Sequence, residues 1–257
     1  MTIALRSTVQ ATDTDTSTHS AITGLTAGDV FIDIAHNTGG GAAPTLPGGS
    51  YPFTTISTGW DSGGRNYTYG SRVATGAETG LVTTGFKLAD TFFACSGVDN
   101  TTPIESFQAP GSRAGTTVTV AASTPTADNC WHVLIFATTN TDGTTISTPP
   151  SGYTQLSYIP VTWQGTVYVY YKDLGAGSSG VSTGTKDAIW SAGGGIGMGA
   201  GFILRAAGGG GGPTVTTVSS NSATEGSTIV HTVTLSGATS GSTNFAATLA
   251  GVTATGS

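Results

Sequence analysis

Residues 30–36 read Val-Phe-Ile-Asp-Ile-Ala-His, and the order of side chains in this run decides the fold. A strand sends successive side chains to opposite faces, so Val30, Ile32 and Ile34 share one side and Phe31 and Asp33 the other. A helix would scatter the same residues around its circumference. The stretch is therefore expected to be a half-buried β-strand.

Working outward, the same kind of run recurs between clusters of Gly, Pro, Asn and Asp. Residues 66–74 alternate likewise, 88–98 read as a more fully buried strand, and 116–123 put Val118 and Val120 on one face. Residues 130–139, CWHVLIFATT, form the most apolar run, and Asp142-Gly143 behind them is a turn signal. In 153–161 Pro160 points to an edge strand or a bulge, because proline cannot donate to a ladder. In 165–173, Val167, Val169 and Tyr171 oppose Tyr168 and Tyr170; the last strand of this series is 197–205. Roughly eight to ten antiparallel strands in about 200 residues imply an all-β, jelly-roll-like sandwich. Two glycine-rich stretches, 39–52 and 175–187, are read as binding loops or as exposed connections.

Composition agrees. The chain has 257 residues, 40 of them Gly, is rich in Thr and Ser, and only 9% of it is charged, so the residues that fill exposed helix faces are scarce. The net charge of -6, with eight Lys and Arg in all, argues against a nucleic-acid partner. The N-terminus lacks a sustained apolar segment, so neither a Sec signal nor membrane insertion is expected, and synthesis in the cytoplasm is. Glycines 208–212 break the pattern, giving an expected sandwich over 1–206, a flexible linker over 207–213 and an incomplete second module over 214–257. The incompleteness means either that the natural chain continues or that the tail completes a sheet in a neighbouring subunit.

The order of segments carries a resemblance. A tryptophan segment (58–76), a strand running into Gly-Val-Asp (92–105), the apolar strand 130–139, a Pro-Gly-Tyr turn (149–156) and the aromatic strand 167–177 follow one another. This layout resembles β-sandwich domains of tailed-bacteriophage virion proteins. Residues 223–226, Ala-Thr-Glu-Gly, followed by alternating Ile229, His231, Val233 and Leu235, resemble the start of a Calx-β or Ig-like repeat. The resemblance implies a non-enzymatic virion surface protein, a capsid decoration or fibre. It would attach to other capsid or tail proteins through the first module, form a homo-oligomer such as a trimer, and project Ig-like repeats. The alternative is an adhesin or tail-fibre module that binds a host surface glycan.

For that alternative, Trp60, Tyr67, Tyr69, Trp163 and Trp190, together with Tyr168 and Tyr170, are the candidate ligand-facing aromatics. The competing reading puts them in the core or in a subunit interface. The run 193–201 matches Gly-x-Gly-x-x-Ala through Gly195, Gly197 and Ala200 but lacks the helix and acidic residue of a dinucleotide site, so it is read as a strand where backbones approach closely. No cofactor and no metal site are expected. Asp13 and Asp15 are two apart and Glu225 stands alone; His19, His36, His132 and His231 lack ligand spacing; Cys95 and Cys130 are read as buried thiols or one disulfide. No nucleophile elbow occurs, although Asp61, Asp99, Glu105 and Asp187 are carboxylates that a fold can bring together as a glycosidase does. Asn66 and Asn100 match the glycosylation sequon, which without a secretory signal reads as turn chemistry.

Overall fold

The computed structural model describes residues 2–18, 24–37, 41–60, 66–78, 81–112, 115–138, 144–161, 165–191, 197–208, 215–219 and 232–235. The chain divides into two compact units, Met1–Gly210 and Gly211–Ser257. It is all-β, and no helix occurs among the described residues.

In the first unit the strands are β1 (Ala4–Thr18), β2 (Val30–Asn37), β3 (Thr54–Trp60), β4 (Asn66–Val73), β5 (Val82–Ser96), β6 (Ile104–Ser112) and β7 (Thr117–Val120). They continue as β8 (Trp131–Thr138), β9 (Ile146–Thr148), β10 (Thr154–Val161), β11 (Gly165–Asp173), β12 (Lys186–Trp190) and β13 (Gly197–Leu204). Two five-stranded antiparallel sheets, ordered β1-β5-β2-β4-β3 and β10-β11-β8-β13-β6, face each other. A third sheet, β7-β12-β9, lies on the outer face of the second. In the other unit β14 (Val215–Val218) pairs with β15 (Val233–Leu235); Glu225, Ile229 and His231 fall outside the described residues.

Period-two patterning decides which side chains meet. Val30, Ile32 and Ile34 of β2 pack against Val133, Ile135, Val167, Val169 and Phe202 between the two large sheets. The opposite faces of β8 and β11, Leu134, Phe136, Tyr168 and Tyr170, pack on Val118, Val120, Ala188 and Trp190 of the third sheet. β8 is thus enclosed on both faces, the condition under which a strand reads as a continuous apolar run. Each such fully buried side chain contributes about 1.5–3 kcal/mol relative to an exposed one. Gly199 and Gly201 of β13 let β7 lie this close: a Cβ at Gly199 would stand 2.6 Å from Val118 Cγ1 and 2.9 Å from Val120 Cγ2. The described part of the glycine run, residues 197–201, is therefore a close approach of strands.

The fold corrects the half-buried reading of β2, which is buried on both faces. Thr83 Oγ1 donates to Asp33 Oδ2 at 2.5 Å, yet the ladder partner of Asp33 on β5 is Phe92, nine residues further along. An extended strand would hold Thr83 and Phe92 roughly 30 Å apart. β5 must therefore fold back over its own sheet. The bend is Gly85-Phe86-Lys87, where Lys87 has φ of 50° and a Cβ at Gly85 would collide with the Asn37 side chain. Beyond the bend, residues 82–84 still pair with 16–18 of β1, and Thr45 forms a bridge to Thr84. Residues 41–53 complete this flap. Thr68 Oγ1 donates to the Pro44 carbonyl at 2.7 Å, Asn66 and Asn37 donate to the Gly41 and Ala42 carbonyls, and Phe53 packs on Phe31 and Phe92. Most of the first glycine-rich loop is a cover for the sheet.

Candidate functional site

The large sheets close along one side, where Thr12 Oγ1 of β1 donates to the Pro160 carbonyl of β10 at 2.9 Å. Pro160 does sit on an edge strand, and that edge is met by its own chain. On the opposite side the edge strands β3 and β6 part, leaving a groove of about 520 Å³. Its floor is Ile56, Val73, Ile104 and Phe107, and Thr54, Thr55, Ser71, Arg72, Asn100, Thr101, Thr102, Glu105 and Ser106 complete its lining. Behind the floor Phe107 packs on Tyr69 with ring centroids 6.1 Å apart, and Tyr69 hydroxyl meets His36 Nε2 at 2.9 Å. The turn at one end is shaped by Asp99, which accepts from the N–H groups of Thr101 and Thr102 at 2.8 and 2.9 Å. Burial would raise the Asp99 carboxyl, but these N–H groups and Arg205 at 3.7 Å hold it below the usual carboxylate range. Such a surface offers hydrogen bonds over an apolar floor to a polar or extended partner.

Of the carboxylates singled out in the sequence, Asp99, Glu105 and Asp187 are used in the structure of the first unit. Glu105 accepts from Thr126 N–H at 2.8 Å and from its hydroxyl at 2.5 Å, and Asp187 accepts from Thr119 Oγ1 at 2.6 Å. Glu78 is held at about 2: burial opposes this, and the N–H groups of Thr75 and Gly76 with the Thr75 hydroxyl outweigh it. Asp15 accepts from Lys87 N–H at 3.3 Å on the long strand β1. Asp61 and the side chain of Asp13 lie outside the described residues.

Among the described residues the aromatic candidates do not form a ligand platform. Tyr67 and Tyr69 stack at 4.8 Å inside the main core, and Trp190 is enclosed between the second and third sheets. This corrects the ligand-facing assignment for these three, because their side chains point into the interiors between sheets. Tyr168 and Tyr170 are buried beside Trp190. Trp163 and the side chain of Trp60 lie outside the described residues. Cys95 and Cys130 are free and buried. His132, also buried, bonds Tyr153 hydroxyl through Nδ1 at 2.6 Å, and burial, with Lys186 and Lys172 nearby, pushes it down to about 4. His19 and His231 lie outside the described residues, and no group of three metal-ligating side chains occurs among those described. The sequence did not flag the groove, because its two walls come from separate stretches of the chain, 54–73 and 100–107.

No family model matches the chain, and neither a curated protein nor a solved structure does.

Proposed function

We propose that this chain is a non-enzymatic surface protein of a tailed-phage virion, a capsid decoration or fibre. In this reading the N-terminal sandwich attaches to capsid or tail proteins and to copies of itself, and the C-terminal part carries Ig-like structure. The observation that carries it is the employment of the acidic residues. Asp99, Glu105 and Glu78 accept backbone N–H bonds in turns and Asp187 braces two strands, so the head devotes them to holding a shape. The groove between β3 and β6 gives that shape a hydrogen-bonding surface for a partner. The segment order described above supplies the virion setting.

The test is imaging of particles purified from lysed host cells and labelled with an antibody against the first unit. Label on head or tail supports the reading and distinguishes decoration from fibre. Particles that carry none of the protein contradict it. So does release of reducing sugar ends from host polysaccharide that is abolished by Asp187→Asn.

A further inference from the structure

A strand at the margin of a sheet presents unpaired N–H and C=O groups to any strand that meets it, so folded chains protect such edges with charges, prolines, short lengths or a covering element. Among the described residues of the first unit, one edge lacks these protections. β1 and β10 meet each other, and β1 carries Arg6, Asp13 and Asp15 while β10 carries Pro160. β6 holds Glu105 and Pro110 and has β7 lying against it, and β9 is only three residues long. β3 differs. Its seven residues, Thr54 to Trp60, include no charge and no proline, and β4 is its one ladder partner among the described residues. Its single irregularity is the register shift between Thr55 and Ser57, where Ile56 joins the floor of the groove. That floor is unfinished: Ile56, Val73, Ile104 and Phe107 pack on the main core yet stay only half-buried. The charges in the lining are already satisfied, Arg72 by Glu78 at 3.3 Å and Glu105 by the N–H and hydroxyl of Thr126. A two-fold axis sets each group near its own copy, so a surface that meets itself must not place like charges face to face. β3 satisfies that condition.

We propose that β3 of one molecule pairs antiparallel with β3 of a second copy about a two-fold axis, joining the open side of one sandwich to the open side of the other. The first sheet then runs through the axis as β1-β5-β2-β4-β3 followed by the same order reversed. Main-chain hydrogen bonds between the two edges supply the attraction, and the half-buried floors beside them are closed off from water. The inference rests on the self-attachment in the proposed function and gives it a place and a symmetry. Antiparallel pairing of one edge with itself is two-fold, so the species formed is a dimer rather than the trimer that the resemblance implies.

Two measurements on the full chain test this. Sedimentation equilibrium over a concentration series should show monomer and dimer, and hydrogen exchange in residues 54–60 should slow as the dimer fills while that of β10 does not change. Thr55 is exposed, so a charge there leaves the fold of the single molecule intact. Thr55→Lys and Thr55→Glu should each raise the dimer dissociation constant at least about tenfold through like-charge repulsion. An equimolar mixture of the two should dimerise again, which a misfolded variant would not do. The proposal is overturned if the wild type is a monomer at its solubility limit, if its oligomer survives in both charged variants, or if exchange in β3 is independent of concentration. Protection of β3 that arises only on addition of purified particles also overturns it and assigns the edge to another virion protein. These outcomes are separate from the labelling of particles: a monomer found on particles removes the dimer and keeps the virion reading, and a dimer missing from particles does the reverse.

Discussion

Adding one methyl group at Gly199 tests the layering of the head. The new Cβ would stand 2.6 Å from Val118 Cγ1 and 2.9 Å from Val120 Cγ2, where carbon atoms pack comfortably at about 3.5–4.0 Å. Both neighbours are branched close to the backbone of β7 and cannot swing aside, so strands must move. Overpacking of this kind costs about 1–3 kcal/mol. Against it stands a gain of about 0.4–1 kcal/mol from the smaller entropy of the unfolded chain when Ala replaces Gly. Gly199→Ala should therefore destabilise by about 0.5–2 kcal/mol. Val118→Ala alone removes two buried methyl groups and should cost about 2 kcal/mol at about 0.8 each plus a cavity contribution. In the double variant the new methyl occupies part of the vacated space, so the costs should fall short of additivity by about 1 kcal/mol. Urea denaturation of the four proteins, followed by tryptophan fluorescence, measures the cycle. Additive costs, or a stabilising Gly199→Ala, would mean that β7 does not lie on β13 and would refute the three-sheet architecture.

Three further outcomes follow from single residues. His132 falls from an ordinary 6.5 to about 4 on folding, so between these values the unfolded chain holds the proton. At about 1.4 kcal/mol per pH unit this costs about 3 kcal/mol as pH falls through that window, and denaturation midpoints of wild type and His132→Gln should converge toward the acid end. Thr68→Val removes the donor to the buried Pro44 carbonyl and should cost about 1–3 kcal/mol, read as a lower melting temperature and faster exchange at Thr45. Trp190→Ala empties the space between the second and third sheets, and a loss of about 3–5 kcal/mol in a denaturant titration is expected; a value near zero would mean that the ring is exposed.

Legibility of the strands in the sequence followed their position in the sheets. β2, β8, β11 and β13 announce themselves because interior strands need apolar side chains on at least one complete face. The alternation of Val167, Val169 and Tyr171 against Tyr168 and Tyr170 matches the two cores that β11 separates. Of the four terminal strands of the large sheets β10 is legible and β1, β3 and β6 are not, since Thr, Ser, Gln and Gly on an edge produce little periodicity. The β-branched run Thr54-Thr55-Ile56 was the one local signal for β3. The groove was illegible for a further reason: it exists only where two such edges part. Asp33 failed differently. A period-two reading sends a polar residue outward, and only the fold-back at Gly85-Phe86-Lys87, set by contacts far along the chain, encloses it.

Two titratable groups buried in this weakly charged unit respond to pH in separate layers. His132 lies on the outer face of the second sheet and is held neutral, so acid works against the packing there. Asp33 lies on the outer face of the first sheet, where burial raises its carboxyl well above the ordinary range, so rising pH works against the packing there. The linkage signs are opposite. The unfolded chain binds the extra proton in the first case, and the folded chain binds it in the second, so stability falls on both sides of an intermediate pH. The two flanks share no residue and sit on opposite sides of the central sandwich core. His132→Gln should therefore flatten the acid flank and leave the alkaline one, whereas Asp33→Asn should do the reverse, and a variant that moved both would mean that the two outer layers open as one unit.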